Sequence, residues 1–108
     1  MDAILIITSL PDILSAENLA QRLIAKREAA CVNIMAPCTS VYHWQGKVET
    51  AVEVPVFIKT TSQCYDAIEK TIKEVHPYEL PEIVAVPLAG GLPAYLEWIA
   101  SETNRNNK

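Results

Sequence analysis

The sequence predicts an α+β fold of the ferredoxin-like kind, a β-α-β-β-α-β antiparallel sheet with two helices on one face and an additional C-terminal helix. Three observations predict it. An apolar run near the N-terminus is followed by a segment of helical period and a second apolar run. A long alternating stretch then follows a Gln45-Gly46 turn. A second helical segment leads through a proline-rich loop into one more short apolar run. The 108 residues form one domain spanning 1–102. Residues 103–108 are a polar tail expected to fray.

Each element has its reason in the residues. Ala3 to Ser9 is nearly all apolar, the pattern of a strand buried on both faces. Pro11-Asp12 opens a helix with Asp12 as N-cap, and Ala16, Leu19, Ala20, Leu23, Ile24 and Arg27 repeat at its period. The Arg27 stem is expected to cover the edge of that stripe. Ala30 to Ala36 reads as the second strand, broken at Pro37 and resumed from Ser40 to Trp44. Gln45-Gly46 supplies a tight turn, and a third strand runs from Lys47 to about Thr61. Within it Val52, Val54, Val56 and Ile58 share one face, and Glu53, Phe57 and Lys59 the other. Pro55 should mark a bulge or an unpaired edge position. A second helix from about Ser62 to Val75 buries Tyr65, Ile68, Ile72 and Val75. Ile83 to Val86 is the fourth strand, ended by Gly90-Gly91, and Pro93 starts a short helix carrying Tyr95, Leu96 and Ile99. The expected strand order sets the third strand beside the first and the fourth at the far edge beside the second.

The third strand is too long for its domain. Fifteen extended residues span about 50 Å, whereas a globule of this size is roughly 34 Å across. The hairpin from Ser40 to Thr61 should therefore overhang, exposing Val, Tyr, Trp and Phe side chains unless another chain covers them. A closed homo-oligomer is the expected answer.

Composition excludes several functions. Half of the residues are hydrophobic, yet no run approaches the ~20 residues of a membrane span. No basic n-region precedes Ala3, so the chain reads as cytoplasmic. Three cysteines without CxxC spacing read as reduced thiols: Cys31 as a small core residue, Cys38 and Cys64 as turn-flanking residues with no histidine at ligand spacing. A net charge of −4 gives no electrostatic footprint for nucleic acid. Gly90-Gly91 lacks the spacing of a phosphate cradle.

The richest chemistry lies in His76-Pro77-Tyr78-Glu79-Leu80-Pro81-Glu82-Ile83. Two prolines stiffen this connection and remove two amide donors, while an imidazole, a phenol and two carboxylates crowd into it. With Lys59, the groups His76, Tyr78 and Glu82 form a candidate ligand cleft. Strand order keeps Lys59 from the loop within one chain, so the cleft is expected between subunits. Lys59 would offer an ammonium to a small anionic ligand, His76 and Tyr78 hydrogen bonds, and Glu82 would orient the imidazole. Tyr42 and Trp44 share one face of the hairpin and suit a subunit contact; His43 faces the other way.

Five blocks in order and spacing carry a resemblance: Ala29-Ala30-Cys31-Val32-Asn33-Ile34, Tyr42 to Glu49, Ile58-Lys59-Thr60-Thr61, the proline loop, and Tyr95-Leu96-Glu97-Trp98. Together they resemble the CutA family of divalent-cation tolerance proteins, from about residue 3 to residue 100. The resemblance implies a ferredoxin-like homotrimer in the cytoplasm, a role in the response to metal ions and copper binding in some members, with no catalytic activity established for the family. In the copper-binding relative the ligands are a cysteine near the end of the first strand and two histidines opening the loop. Thr8 and Val75 stand at two of those positions here, so His76 is the one metal candidate retained and copper binding should be weak.

Three classes of function follow. The first is a trimer binding a metal ion or small ligand at inter-subunit clefts. The second is a PII-like signalling or interaction trimer with no metal role, docking through its hairpins. An enzyme using His76 with Glu79 or Glu82 is disfavoured, since no activated nucleophile, cofactor motif or complete metal cage is present. No cofactor is required by either favoured class.

Overall fold

The computed structural model describes residues 2–103. The N-terminal apolar run forms β1 (Ala3–Leu10). Asp12 then caps α1 (Ile13–Ala25), its carboxylate accepting the Ser15 amide at 2.7 Å. Strand β2 (Cys31–Ile34) is shorter than its apolar run, and β3 (Cys38–Trp44) resumes two residues earlier than expected. β4 spans Lys47–Thr61, and α2 (Tyr65–Val75) follows a single 3₁₀ turn. β5 (Ile83–Pro87) and α3 (Pro93–Glu102) complete the chain.

Strands pair in the order β2-β4-β1-β5, with β3 continuing the β2 side of β4 and every pairing antiparallel. The expected place of the last strand is thus corrected. β5 lies beside β1, not beside β2, with Thr8 opposite Ile83 and Ile4 opposite Pro87. This follows from α2, which crosses back over the sheet and returns the chain on the free edge of β1 after α1 has taken up the space above β2 and β4.

One sheet face is fully covered. Ile4, Ile6, Leu10, Val54, Val56 and Ile58 pack against Ala16, Leu19 and Leu23 of α1 and Ile68 and Ile72 of α2. Burial of such side chains stabilises by about 1.5–3 kcal/mol each. The opposite face is not closed. Leu5 and Ile7, expected to be buried, are only half-covered, and Val84 and Val86 beside them are exposed.

The stripe of α1 is narrower than its periodicity suggests. Ile24 is exposed and Arg27 lies beyond the helix in the left-handed region, φ +57°. The helix closes there, with the Glu28 amide donating to the Leu23 carbonyl and the Arg27 amide to that of Ile24. The Arg27 guanidinium reaches Glu102 at 3.2 Å rather than lying along the stripe. At the other end, Thr103 corrects the boundary of the tail: it is buried, and its hydroxyl donates to the Ile99 carbonyl at 2.8 Å. The remainder of the expected tail, 104–108, lies outside the described residues.

Pro55 sits in a central strand rather than at an edge, opposite Ser9 with no break in the β1–β4 register. The bulge expected of it lies on the facing strand. Three residues, 35–37, span the interval that two, 54–55, occupy on β4. The Pro55 carbonyl points to that side, accepting the Met35 amide at 2.9 Å. The donor that proline lacks therefore falls where the ladder is already interrupted.

Beyond Val54, β4 leaves β1 and pairs with β3 alone, as far as Trp44 opposite Lys47. Gln45 and Gly46 turn this ribbon with φ of +52° and +82°, the geometry of a type I′ turn. Residues 47–53 extend it about 23 Å past the sheet, roughly half of the molecule's 44 Å long axis. The overhang is as expected, and Val52, which shares the face of Val54, is 65% exposed where Val54 is 2%.

Candidate functional site

The proline loop begins where α2 ends. The His76 amide still donates to the Ile72 carbonyl, but its backbone is extended (φ −84°, ψ 130°), because a residue before proline is driven out of the helical region. The chain therefore leaves the helix axis at once and turns the imidazole under the sheet end. There His76 is 8% exposed. Its Nε2 lies 2.6 Å from the Ser9 carbonyl, and the Tyr78 amide donates to its Nδ1 at 3.2 Å. An amide can only donate and a carbonyl can only accept, so the ring must be neutral with its proton on Nε2. Both nitrogens are used within the chain. The Tyr78 ring packs against the imidazole, centroids 4.7 Å apart and planes tilted by 57°.

Tyr78 in turn faces the base of the ribbon. Burial, and after it the neighbouring Glu53 carboxylate and Tyr42, push its phenol above the ordinary value of 10.0. The loop is thus pinned on one side to the end of β1 and set on the other against β3 and β4. The cluster is rich in oxygen: Tyr78, Tyr42 and Glu53.

Glu82 does not orient the imidazole, which corrects the expectation for it. Its carboxylate accepts a long hydrogen bond from the Ser9 hydroxyl, 3.5 Å, while the Ser9 backbone holds the ring. Ser9 therefore touches both loop residues, and nothing in its sequence setting at the end of an apolar run marks it out. Glu53 and Tyr42 were equally hidden, because their approach to Tyr78 depends on how the ribbon meets the loop.

Lys59 stands apart from this cluster within the chain. It pairs with Leu5, whereas the His76 contact is made at Ser9, four residues or about 13 Å further along β1. Its Nζ lies 5.8 Å from the centroid of the Tyr95 ring, a cation–π contact with α3 that the sequence did not suggest. Tyr95 continues to Trp98 at 5.4 Å. The sequence-predicted group is accordingly split: His76, Tyr78 and Glu82 are together, and Lys59 is not with them.

The donors do not suit a metal ion. Thr8 is fully buried, and its hydroxyl is the one buried side-chain polar atom without a hydrogen-bond partner among the described residues. Val75 has no donor, and the His76 lone pair is taken by the Tyr78 amide. Among the described residues, no three His, Cys, Asp or Glu side chains are placed to hold an ion. The cysteines are unpaired and dispersed: Cys31 is half-buried on the open sheet face rather than in the core, Cys38 exposed, and Cys64 buried.

Comparison with known proteins agrees with this architecture. The sequence model of the family described as CutA1 divalent ion tolerance protein matches residues 4–102. The divalent-cation tolerance protein CutA of Thermus thermophilus is 40% identical over 103 residues, covering 95% of this chain and 99% of that one. The mouse protein CutA is 42% identical over 88 residues, 82% of this chain but only 50% of its own length. The crystal structure of CutA1 from Oryza sativa superposes with a TM-score of 0.93 at 37% identity, over 97% of this chain and 96% of that one. None of these names carries an enzymatic activity.

Proposed function

The chain belongs to the CutA1 divalent ion tolerance family, and from that premise we propose that it works as a non-catalytic, cytoplasmic homotrimer whose inter-subunit clefts hold a small anionic ligand. One observation carries the reading. A two-stranded ribbon projects about 23 Å from the sheet with Val41, Val48 and Val52 strongly exposed. Such a ribbon invites pairing with another strand and requires cover. The half-open sheet face with Val84 and Val86 supports the same conclusion, and the family resemblance sets the number of copies at three.

In that assembly the ribbon of one copy would carry the neighbouring chain's surface onto the proline loop. Lys59 of one subunit would then supply the ammonium that the Tyr78–Glu82 side of another lacks. The cluster of carboxylates and phenols around Tyr78 has no cation among its described contacts, which supports a complementary charge arriving from outside. Copper, the ion bound by some relatives, would be held weakly here, because Thr8 and Val75 offer no soft donors. That poor fit favours the second reading in one respect: a PII-like signalling trimer would need no metal at all.

Light scattering at micromolar concentration tests the assembly. The expected mass is about three times 11.9 kDa, and a monodisperse monomer overturns the reading. Calorimetric titration with phosphate and a nucleotide panel tests the cleft. Lys59→Ala should leave the trimer intact and abolish any ligand-induced rise in Tm.

A further inference from the structure

The family's description concerns divalent ions, and His76 is the one imidazole at the loop that could bind them. Its geometry assigns it another task. We infer that His76 in this chain is a latch and not a metal ligand: a neutral imidazole, protonated on Nε2, that ties the proline loop to the end of β1 and aims Tyr78 at the ribbon.

Three features of the structure carry this. First, the two ring nitrogens are committed in opposite senses. Nε2–H donates to the Ser9 carbonyl at 2.6 Å and Nδ1 accepts the Tyr78 amide at 3.2 Å. A metal ion needs a nitrogen lone pair, and the sole lone pair of a neutral ring is the one facing that amide. Coordination would therefore break the loop's own hydrogen bond and leave an amide unpaired. Second, the ring is buried, and the tilted Tyr78 ring packs against it at 4.7 Å. Third, its neighbours do not complete a coordination sphere: Thr8 offers a buried hydroxyl and Val75 nothing.

The latch has a mechanical consequence. Pro77 fixes the turn between His76 and Tyr78, and Pro81 stiffens the stretch before Glu82. With the imidazole fastened, the Tyr78 backbone cannot move away from Glu53 and Tyr42 without breaking its amide's hydrogen bond to Nδ1. His76 thus acts as a positioning residue, working through Tyr78 on the junction of loop and ribbon. This holds within one chain and does not depend on the trimer.

The test reads the ring directly. Long-range proton–nitrogen NMR of the native protein should show a protonated Nε2 and an unprotonated Nδ1, unmoved by one equivalent of Zn²⁺. Copper titration should give the same weak affinity for the native protein and for His76→Ala. In the same variant the Tyr78 amide should exchange at least about tenfold faster with solvent. His76→Gln, which keeps a donor near the Nε2 position, should recover much of the lost Tm. A proton found on Nδ1, a Zn²⁺-induced shift of the ring nitrogens, or tight copper binding lost in both variants would overturn the proposal. If His76→Ala fails to fold, the native ring signals and His76→Gln still decide the matter.

Discussion

Val54 and Val52 are two residues apart on one strand and face the same way, yet the first is 2% exposed and the second 65%. The strand does not change between them; its neighbours do. Up to Val54, β4 is flanked by β1 and roofed by α1 and α2, whereas from Glu53 outward it has only β3 for company. The body and the ribbon are thus built from the same alternating sequence under two different covers. Period-two alternation chooses the face a side chain takes; what lies over that face is a separate matter.

The sharpest way to break this comparison is to truncate the same kind of side chain in each region. Ile58→Ala, in the fully buried part of β4, should lose about 2–5 kcal/mol. Val52→Ala should change the stability of an isolated chain by no more than about 0.5 kcal/mol. In a trimer its effect should grow, and denaturation across a range of protein concentrations would separate the two. Equal losses at both sites in a dilute monomer would mean that the ribbon folds back on the body.

Polar groups inside the body allow a second cut. Glu28 is 7% exposed, and its carboxyl accepts the Thr71 hydroxyl at 2.9 Å; that oxygen also receives Lys26 Nζ at 3.3 Å. The Thr60 hydroxyl donates to the Glu28 carbonyl, joining β4 to the same point. Thr71→Val removes the relay and strands a buried acceptor, so urea denaturation should show a loss of about 1–3 kcal/mol. Thr8 is the opposite case. Its buried hydroxyl has no partner, and Thr8→Val should raise stability by about 1 kcal/mol. A fall there would reveal a partner such as a bound water. Thr8→Cys with Val75→His should instead strengthen copper binding, measured by calorimetry.

The smallest effect belongs to the junction between the regions. The Tyr78 phenol is raised by burial and then by Glu53 and Tyr42. Tyr65 is raised chiefly by its hydrogen bond to Glu69. A raised folded value favours the protonated phenol, so this stability is fully present below 10.0 and is lost as pH climbs through the folded values. The decline in Tm above about pH 10 should be shallower in Tyr78→Phe. An unchanged slope would show that Tyr78 does not feel the ribbon.

Much of this was legible in the residues because it depends on local chemistry. The Asp12 cap, the Gln45-Gly46 turn, the helical stripe through Ala16, Leu19 and Leu23, and the full length of β4 follow from side-chain preference and period alone. Even the overhang could be inferred, since strand length is set by geometry and globule size by chain length. The proline loop stood out for the same reason, its residues being adjacent in sequence.

What the residues left open were relations between distant segments. The last strand, expected beside the second, joins β1 because that sheet edge remains free once α1 and α2 are packed, a property of the assembled layers. The partners of His76 were hidden likewise: Ser9 lies 67 positions away, and its carbonyl is a backbone group that every residue carries. Lys59 found Tyr95 because α3 packs near that end of β4. Sequence by itself determined the elements, their faces and the reach of the ribbon, because those are short-range consequences of dihedral preference and burial. Tertiary structure decided the strand order, the latch at His76 and the contact of Lys59 with Tyr95, because each depends on where chain segments far apart in sequence come to rest.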